Sequence, residues 1–295
     1  ESDLAVIIYT SGTTGSSKGV MLTHKNLVFD TLMALYIQDI DSYDVFLSML
    51  PLSHTYECTI GFFMPISKGA QICYMEKPPT PRVLMAAMES VRPTMIVTVP
   101  LVIEKIFKSN ILPKLTKNNL MEFFYNIRPI QKVLHKAAGK KLYQKFGGRL
   151  RFFGIGGAPI APDVERFLRD AKFPYAIGYG LTETSPLIAG CNPSLTRYRS
   201  TGTIIKGIEA RIADQQGQHG EGEIQVKGDI VMQGYYKAPD LTKQVFTEDG
   251  WFKTGDLGVI TEEGYLYIKG RSKNLILGPS GENIYPEEIE SIINE

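Results

Sequence analysis

The sequence predicts an α/β protein: a mainly parallel sheet with helices on both faces, followed by a small antiparallel β subdomain. Up to about residue 200, short β-branched or apolar runs alternate with longer stretches of helical period, the β-α-β-α order of a parallel sheet. Beyond that point, short alternating runs broken by Gly, Asp and Asn read as antiparallel strands. The length of 295 residues, with 43% hydrophobic and 21% charged residues, suits about two folded units, each able to bury a core.

In chain order, residues 4–9, 45–50, 70–74, 94–99 and 150–153 are short β-branched or apolar runs that read as buried strands. Residues 24–38, 53–66, 81–90, several pieces of 102–145, and 161–171 carry helical spacing and supply the crossovers. Residues 209–212, 222–226, 257–260 and 265–268 are the expected subdomain strands. Residues 270–281 read as a connector, and Tyr285-Pro286-Glu287-Glu288 reads as a helix start, with proline and acids in its first turn. The expected division is 1–200 for the α/β part, 201–269 for the β subdomain, and 270–295 for a hinge and the start of a further domain. The chain opens without Met and stops in a helix-like stretch, so it reads as a piece of a longer protein.

Composition removes several classes. The longest apolar stretch, 95–103, is broken by Thr98 and Pro100 and falls short of the roughly 20 residues a membrane span needs. Cys58, Cys73 and Cys191 lie far apart with no C-x-x-C pair, and His24, His54, His135 and His219 are equally scattered. That argues against a zinc site or a disulfide framework and for a reducing compartment. The net charge of +1 hides an asymmetry, because residues 105–151 carry +11, with Glu122 their one acid, and the remainder carries −10. Such a block attracts anions. Within it Phe123, Ile127, Ile130, Leu134, Ala137, Ala138 and Leu142 recur at three- or four-residue steps, among Lys132, Lys136, Lys140, Lys141 and Lys145. This basic amphipathic pattern, interrupted at Pro129, fits a helix packing its stripe on the sheet with solvated lysines. It also fits contact with an anionic lipid surface through residues 120–146.

The strongest chemical signal is the run Tyr9-Thr10-Ser11-Gly12-Thr13-Thr14-Gly15-Ser16-Ser17-Lys18-Gly19, directly after an apolar strand. Glycines admit a close ligand, hydroxyls donate hydrogen bonds and Lys18 adds positive charge, which together describe a phosphate cradle. It is not a Walker A loop, which would need Gly at Ser17 and Ser or Thr at Gly19. A second strand-turn-helix, Gly154-Ile155-Gly156-Gly157-Ala158-Pro159, fails the dinucleotide fingerprint at Pro159. In Gly178-Tyr179-Gly180-Leu181-Thr182-Glu183, the tyrosine between glycines can lie flat on a ring, and Thr182 with Glu183 offers a phosphate donor and a Mg²⁺ carboxylate. Asp256 in Lys253-Thr254-Gly255-Asp256 could accept from two ribose hydroxyls, and Arg271 and Lys273 place two cations beside the connector. His54, taken alone, reads as a satisfied core histidine.

Together and in this order, these segments resemble the adenylate-forming superfamily of acyl-CoA synthetases, peptide-synthetase adenylation domains and firefly luciferase. The resemblance spans about residues 4–290. It implies that Thr10, Ser11, Gly12, Thr13, Thr14, Gly15 and Lys18 handle ATP phosphates, that Gly157, Ala158 and Pro159 line adenine, and that Tyr179 between Gly178 and Gly180 stacks on it. By the same likeness Thr182 contacts the α-phosphate, Glu183 the Mg²⁺, and Asp256 and Arg271 the ribose, while Lys273 is the hinge. Lys18, Thr182 and Glu183 would be the catalytic set, and His54, Tyr56 and Gly178 would border the acyl group. Ser17, Ile177 and Asn274 depart from the family's usual Pro, polar residue and acid at those positions.

The segment around His54, the long basic helical stretch and Asn283-Ile284-Tyr285-Pro286-Glu287-Glu288 look most like long-chain fatty acyl-CoA synthetases. The resemblance then implies an AMP-forming ligase that uses ATP, Mg²⁺ and CoA; no nucleic-acid partner, a cytoplasmic location and, from the basic pattern, peripheral membrane contact through residues 105–151 are further expectations. Alternatives are an adenylation domain or a ligase for aryl or other acids, loading a carrier protein or CoA. A non-catalytic nucleotide- or lipid-binding relative is the alternative of another class. The piece itself is expected to be inactive or weakly active, because the family's lid lysine, in a Gly-Lys motif, does not occur before Glu295.

Overall fold

The computed structural model describes residues 1–11, 17–77, 79–216, 220–277, 283, 284, 286 and 289. β1 (Leu4–Ser11) and β2 (Ser17–Thr23) form an antiparallel hairpin with Thr10 opposite Lys18 and Ser11 opposite Ser17. The first apolar run is thus a strand, but outside the parallel sheet, because hydrophobicity marks burial and not the pairing partner. Thr23 caps α1 (His24–Ile37), accepting from the Asn26 amide at 3.1 Å, while its own amide donates to Asn26 Oδ1 at 2.8 Å.

β3 (Val45–Ser48) is followed by a π-helical stretch, Tyr56–Phe63, that runs into α2 (Met64–Ser67). Then come β4 (Gln71–Tyr74), α3 (Pro81–Val91), β5 (Met95–Thr98) and α4 (Pro100–Ile106). A further π-helical segment, Phe107–Ile111, leads to α5 (Leu112–Leu115), α6 (Asn119–Tyr125) and α7 (Arg128–Lys145). β6 (Phe152–Ile155), α8 (Pro162–Asp170) and β7 (Tyr175–Ile177) complete this half. Prolines in the first turns of α2, α3, α4, α5, α7 and α8 start these helices where a missing N–H costs nothing.

The strands pair in parallel in the order β4-β3-β5-β6-β7. Side chains alternate between two cores along each strand. Phe46, Met95 and Val97 pack with Leu27 and Ala34 of α1 on one face. Leu47 and Ile96 pack with Met88, Ile103 and Phe167 on the other, so helices cover both faces as expected. Phe107, Phe146, Phe153 and Phe167 are fully buried, and each such ring contributes about 1.5–3 kcal/mol of burial free energy.

α7 turns part of its apolar stripe inward. His135, Gly139 and Leu142 are buried, and a Cβ on Gly139 would lie 2.2 Å from the Ala171 Cβ at the end of α8. The core-packing reading therefore holds along α7. It fails at Phe123, Ile127 and Ala137, which stay exposed.

The rest is antiparallel. β8 (Tyr179–Gly180), β9 (Leu187–Gly190) and β10 (Thr203–Ile204) form one small sheet. β11 (Glu209–Gln216) and β12 (Glu221–Lys227) begin a second, and β13 (Gly234–Tyr235) returns to β2 as the hairpin's third strand. After α9 (Pro239–Gln244), β14 (Phe252–Ile260) and β15 (Leu266–Arg271) finish the order β11-β12-β14-β15. The four expected subdomain strands fall in this sheet. β16 (Ile276–Leu277) pairs with β17 (Asn283–Ile284), so the expected connector at 270–281 contains strand. Of the expected helix start at 285–288, all but Pro286 lies outside the described residues. Among the described residues no helix is long and apolar enough to cross a membrane.

Candidate active site

β6 and β7 end side by side, with Ile155 opposite Ile177. The crevice beyond the carboxyl ends of such strands is where open α/β sheets bind ligands. After β6, Gly157 takes φ +86°, a conformation costly for any residue with a Cβ, and Gly157, Ala158 and Pro159 lie exposed at the crevice. After β7, Gly178 leads into β8. There a Cβ on Gly180 would come 1.7 Å from the Pro186 carbonyl oxygen, so only glycine lets β8 lie against β9 and hold Tyr179 in place.

The Tyr179 hydroxyl donates to Asp256 Oδ2 at 2.6 Å, and Arg271 Nε donates to Asp256 Oδ1 at 2.9 Å. Asp256 and Arg271 face each other across β14 and β15, so the antiparallel register itself delivers the pair. Burial, then the Asp256 carboxylate, push the Tyr179 hydroxyl well above its ordinary range and keep it a donor.

Thr182 and Glu183 sit half-buried in a short 3-10 turn, Thr182–Thr184. Tyr235 donates its hydroxyl to Glu183 Oε1 at 2.8 Å, and Lys18 Nζ lies 5.0 Å from the centroid of the same ring. Strand pairing explains this. Tyr235 is opposite Val20, and Lys18, two residues before Val20, shares its face and reaches the ring diagonally. Burial and the Glu183 charge both push the Tyr235 hydroxyl upward, so it remains protonated. Thr10 and Ser11 stand at the end of the hairpin nearest residues 12–16, which connect its strands, across from Lys18 and Ser17. Gly12, Thr13, Thr14 and Gly15 lie outside the described residues. Lys273 is exposed in the turn Ser272–Asn274, directly after Arg271.

An apolar cavity of about 40 Å³ opens beside Gly178. Tyr56, Ile60 and Met64 line it at four-residue steps, joined by Ala34 and Ile37 of α1 and by Leu187. Glu57, on the same π-helical stretch, turns the other way into the protein and accepts from the Ser48 hydroxyl; its Oε2 has no hydrogen-bond partner. Burial pushes Glu57 up to about 7. His54 departs from the expectation of a core histidine. It is exposed, in the turn where its amide donates to the Pro51 carbonyl, and it does not line the cavity.

Sequence reasoning missed Tyr235 and the α1 wall of the cavity. The signal for Tyr235 is only Gly234-Tyr235-Tyr236 after an apolar triplet, and its partner strand is some two hundred residues away. Among the described residues no group of three or more His, Cys, Asp or Glu could hold a metal. A Mg²⁺ ion, which takes one or two carboxylates and completes its shell with phosphate and water, fits a single carboxylate such as Glu183 beside a nucleotide.

Residues 1–236 match the profile of the AMP-binding enzyme family, and the chain belongs to that family. It is 33% identical over 312 residues to the peroxisomal long chain acyl-CoA synthetase 6 of Arabidopsis thaliana, covering 98% of this chain and 44% of that protein. It is 35% identical over 319 residues to long-chain-fatty-acid–CoA ligase 1 of Schizosaccharomyces pombe, covering 98% and 46%. Among solved structures, ATP-bound MatB from Rhodopseudomonas palustris superposes with a TM-score of 0.79 at 31% identity, covering 99% of this chain and 53% of that one. The o-succinylbenzoate CoA synthetase of Bacillus subtilis with ATP and magnesium gives 0.78 at 27% identity, covering 99% and 55%. The adenylate-forming resemblance is thereby borne out, and the chain spans under half the length of the two acyl-CoA synthetases and just over half that of the two solved structures.

Proposed function

We propose that the protein of which this chain is part is an AMP-forming acyl-CoA synthetase for fatty acids. The observation that carries this reading is the cavity beside Gly178, apolar and adjoining the strip Tyr179–Glu183, on which both the Asp256–Arg271 pair and the Lys18–Tyr235 pair converge. The names of the relatives that the chain matches end to end point the same way. A carboxylate has no good leaving group. The acid's oxygen attacks the α-phosphorus of ATP and pyrophosphate leaves; the thiol of CoA then attacks the acyl-adenylate carbonyl and AMP leaves with its electron pair, the thiol proton passing to solvent. In this reading Thr10, Ser11 and Lys18, with the glycine loop, receive the phosphates, and Thr182 orients the α-phosphate. Glu183 holds Mg²⁺, which when bound neutralises phosphate charge. Gly157, Ala158 and Pro159 form the adenine shelf and Tyr179 its flat neighbour, Asp256 and Arg271 take the ribose, and Lys273 is the hinge.

The division at residues 200 and 270 belongs to the same proposal, with the crevice at the first boundary and the hinge at the second. So do a cytoplasmic location, for which the unpaired Cys58, Cys73 and Cys191 speak, and a membrane contact through the basic segment 105–151. The test is pyrophosphate release by the full-length protein with acids of graded length and shape. Turnover rising with chain length is the expected result. Release only with aromatic or short polar acids would replace the substrate class, and none with any acid would overturn the reading.

A further inference from the structure

We propose that α6 is an in-plane anchor that inserts its aromatic side chains into an anionic membrane, with the lysines of the neighbouring segments bound at the headgroups. This rests on the membrane contact proposed above and says which element makes it. α6 has no buried residue. Leu120 and Phe123 are 65% and 63% exposed, Met121 and Phe124 are also exposed, and Val133 near the start of α7 is 66% exposed. Single exposed apolar side chains are ordinary, but this many on one short helix and its continuation form a patch.

Three features distinguish the patch from an apolar face awaiting an apolar partner. First, its surroundings are cationic: Lys114 and Lys117 precede it, and Lys132, Lys136 and Lys140 follow, all exposed. Among the described residues none of these five makes a salt bridge. A membrane with anionic headgroups complements both at once, apolar depth for the rings and negative charge for the rim. Second, α7 turns His135, Gly139 and Leu142 into the core whereas α6 buries no residue, which leaves insertion to α6 and the Val133 end of α7.

Third, α6 is held firmly. Asp170 at the end of α8 receives both terminal guanidinium nitrogens of Arg128, at 2.6 and 2.9 Å, and contacts His135 Nδ1 at 2.8 Å. Asp170 is held low by these partners and can only accept, so Nδ1 carries the proton. Burial holds His135 low and neutral, so Nε2 accepts from the Tyr125 hydroxyl at 3.0 Å. Tyr125 is the last residue of α6, and the Asn118 side chain caps its first turn by accepting from Met121 N at 2.9 Å. The relay Asp170–His135–Tyr125 fixes the helix at one end and the cap fixes it at the other, so the rings project from a rigid support.

The experiment is vesicle co-sedimentation of the full-length protein, with phosphatidylcholine alone and with a large fraction of phosphatidylglycerol. It compares wild type, Phe123→Ser/Phe124→Ser, and Lys132→Gln/Lys136→Gln/Lys140→Gln, each checked by circular dichroism. The serine variant should bind anionic vesicles at least about tenfold more weakly per inserted ring, and the glutamine variant about fivefold more weakly per lysine. A Phe123→Trp variant, which keeps an aromatic side chain and the fold, should shift its emission to the blue on adding anionic vesicles. Wild type that binds while the serine variant binds equally well would overturn the α6 assignment and leave the wider membrane contact standing. Wild type that fails to bind would overturn both. Tryptophan emission already blue and unquenched before vesicles are added, or a serine variant that changes only oligomeric state, would show the patch covered by protein and overturn the proposal.

Discussion

Asp256 and Glu57 are both acids removed from water, 4% and 0% exposed, and the protein treats them in opposite ways. Asp256 has a donor on each oxygen, a phenol from β8 and a guanidinium from β15, so its charge is met on both sides. Glu57 has one hydroxyl, from Ser48, and an oxygen with no partner, so burial favours its protonated form and lifts it to about 7. A charge is kept where a polar nucleotide is proposed to bind and suppressed beside an apolar cavity. Residue type alone says nothing of this; the number of donors each strand register delivers decides it.

The largest effect should come from a third acid, the half-buried Glu183. Glu183→Gln keeps the Tyr235 contact but removes the charge available to a metal, and pyrophosphate release by the full-length protein should fall on the order of 10² to 10³. A rate within threefold of wild type would place the metal carboxylate elsewhere and leave Asp256 as the only charged acid that matters in the cleft.

Next in size is the pH response of Glu57. Its folded value of about 7 lies above the ordinary 4.5 of an unfolded chain. Between the two, the folded protein holds a proton that the unfolded chain has released. Stability from this group is therefore fully present below about 4.5 and is lost as pH rises through about 7, in total about 3 kcal/mol. Glu57→Gln, neutral at every pH, should be flatter than wild type across that window in denaturant titrations. Equal pH profiles for the two proteins would mean that Glu57 is solvated after all, and the contrast with Asp256 would go.

Most of the scaffold was legible in the sequence, since runs such as 45–50 and 94–99 are mostly apolar, broken only by Ser48, Thr94 and Thr98, and a doubly covered strand needs that density of apolar residues. β1 was legible as a strand but not as half of a hairpin, because its partner begins beyond a glycine-rich stretch that hides the turn. The three residues of β7 come directly before the motif Gly178–Glu183, and so short a strand shows no period of its own. In the site, Tyr179, Asp256 and Arg271 could be named from motifs, but their mutual contact depends on β14–β15 register, which no local pattern encodes. His54 shows the reverse, a residue inside a conspicuous motif that the fold leaves at the surface.

Asp256→Asn sharpens the comparison from the other end. It removes the charge opposite Arg271 while keeping the shape, and AMP binding measured by calorimetry should weaken by about 1.5–3 kcal/mol. Tyr179→Phe removes a single neutral donor and should cost less, about 0.5–1.5 kcal/mol. Should the two variants bind AMP as tightly as wild type, the doubly held acid would be a structural clamp between β8 and β14 and not part of a nucleotide site.

The smallest effect concerns Tyr235, which serves two groups at once: its ring lies under Lys18 and its hydroxyl holds Glu183. Phenylalanine there keeps the ring and loses the hydrogen bond, so only the carboxylate is released. The expected cost is about 0.5–1.5 kcal/mol, read as a higher Mg²⁺ concentration for half-maximal pyrophosphate release with little change at saturating Mg²⁺. Leucine removes the ring as well and should add a further loss of about 0.5–2 kcal/mol, expressed in the KM for ATP because the ammonium of Lys18 is no longer held. The two variants thus separate the roles by readout. If phenylalanine changed the KM for ATP and left the Mg²⁺ dependence alone, the hydroxyl would not be positioning Glu183, and the contact at 2.8 Å would be incidental to the chemistry.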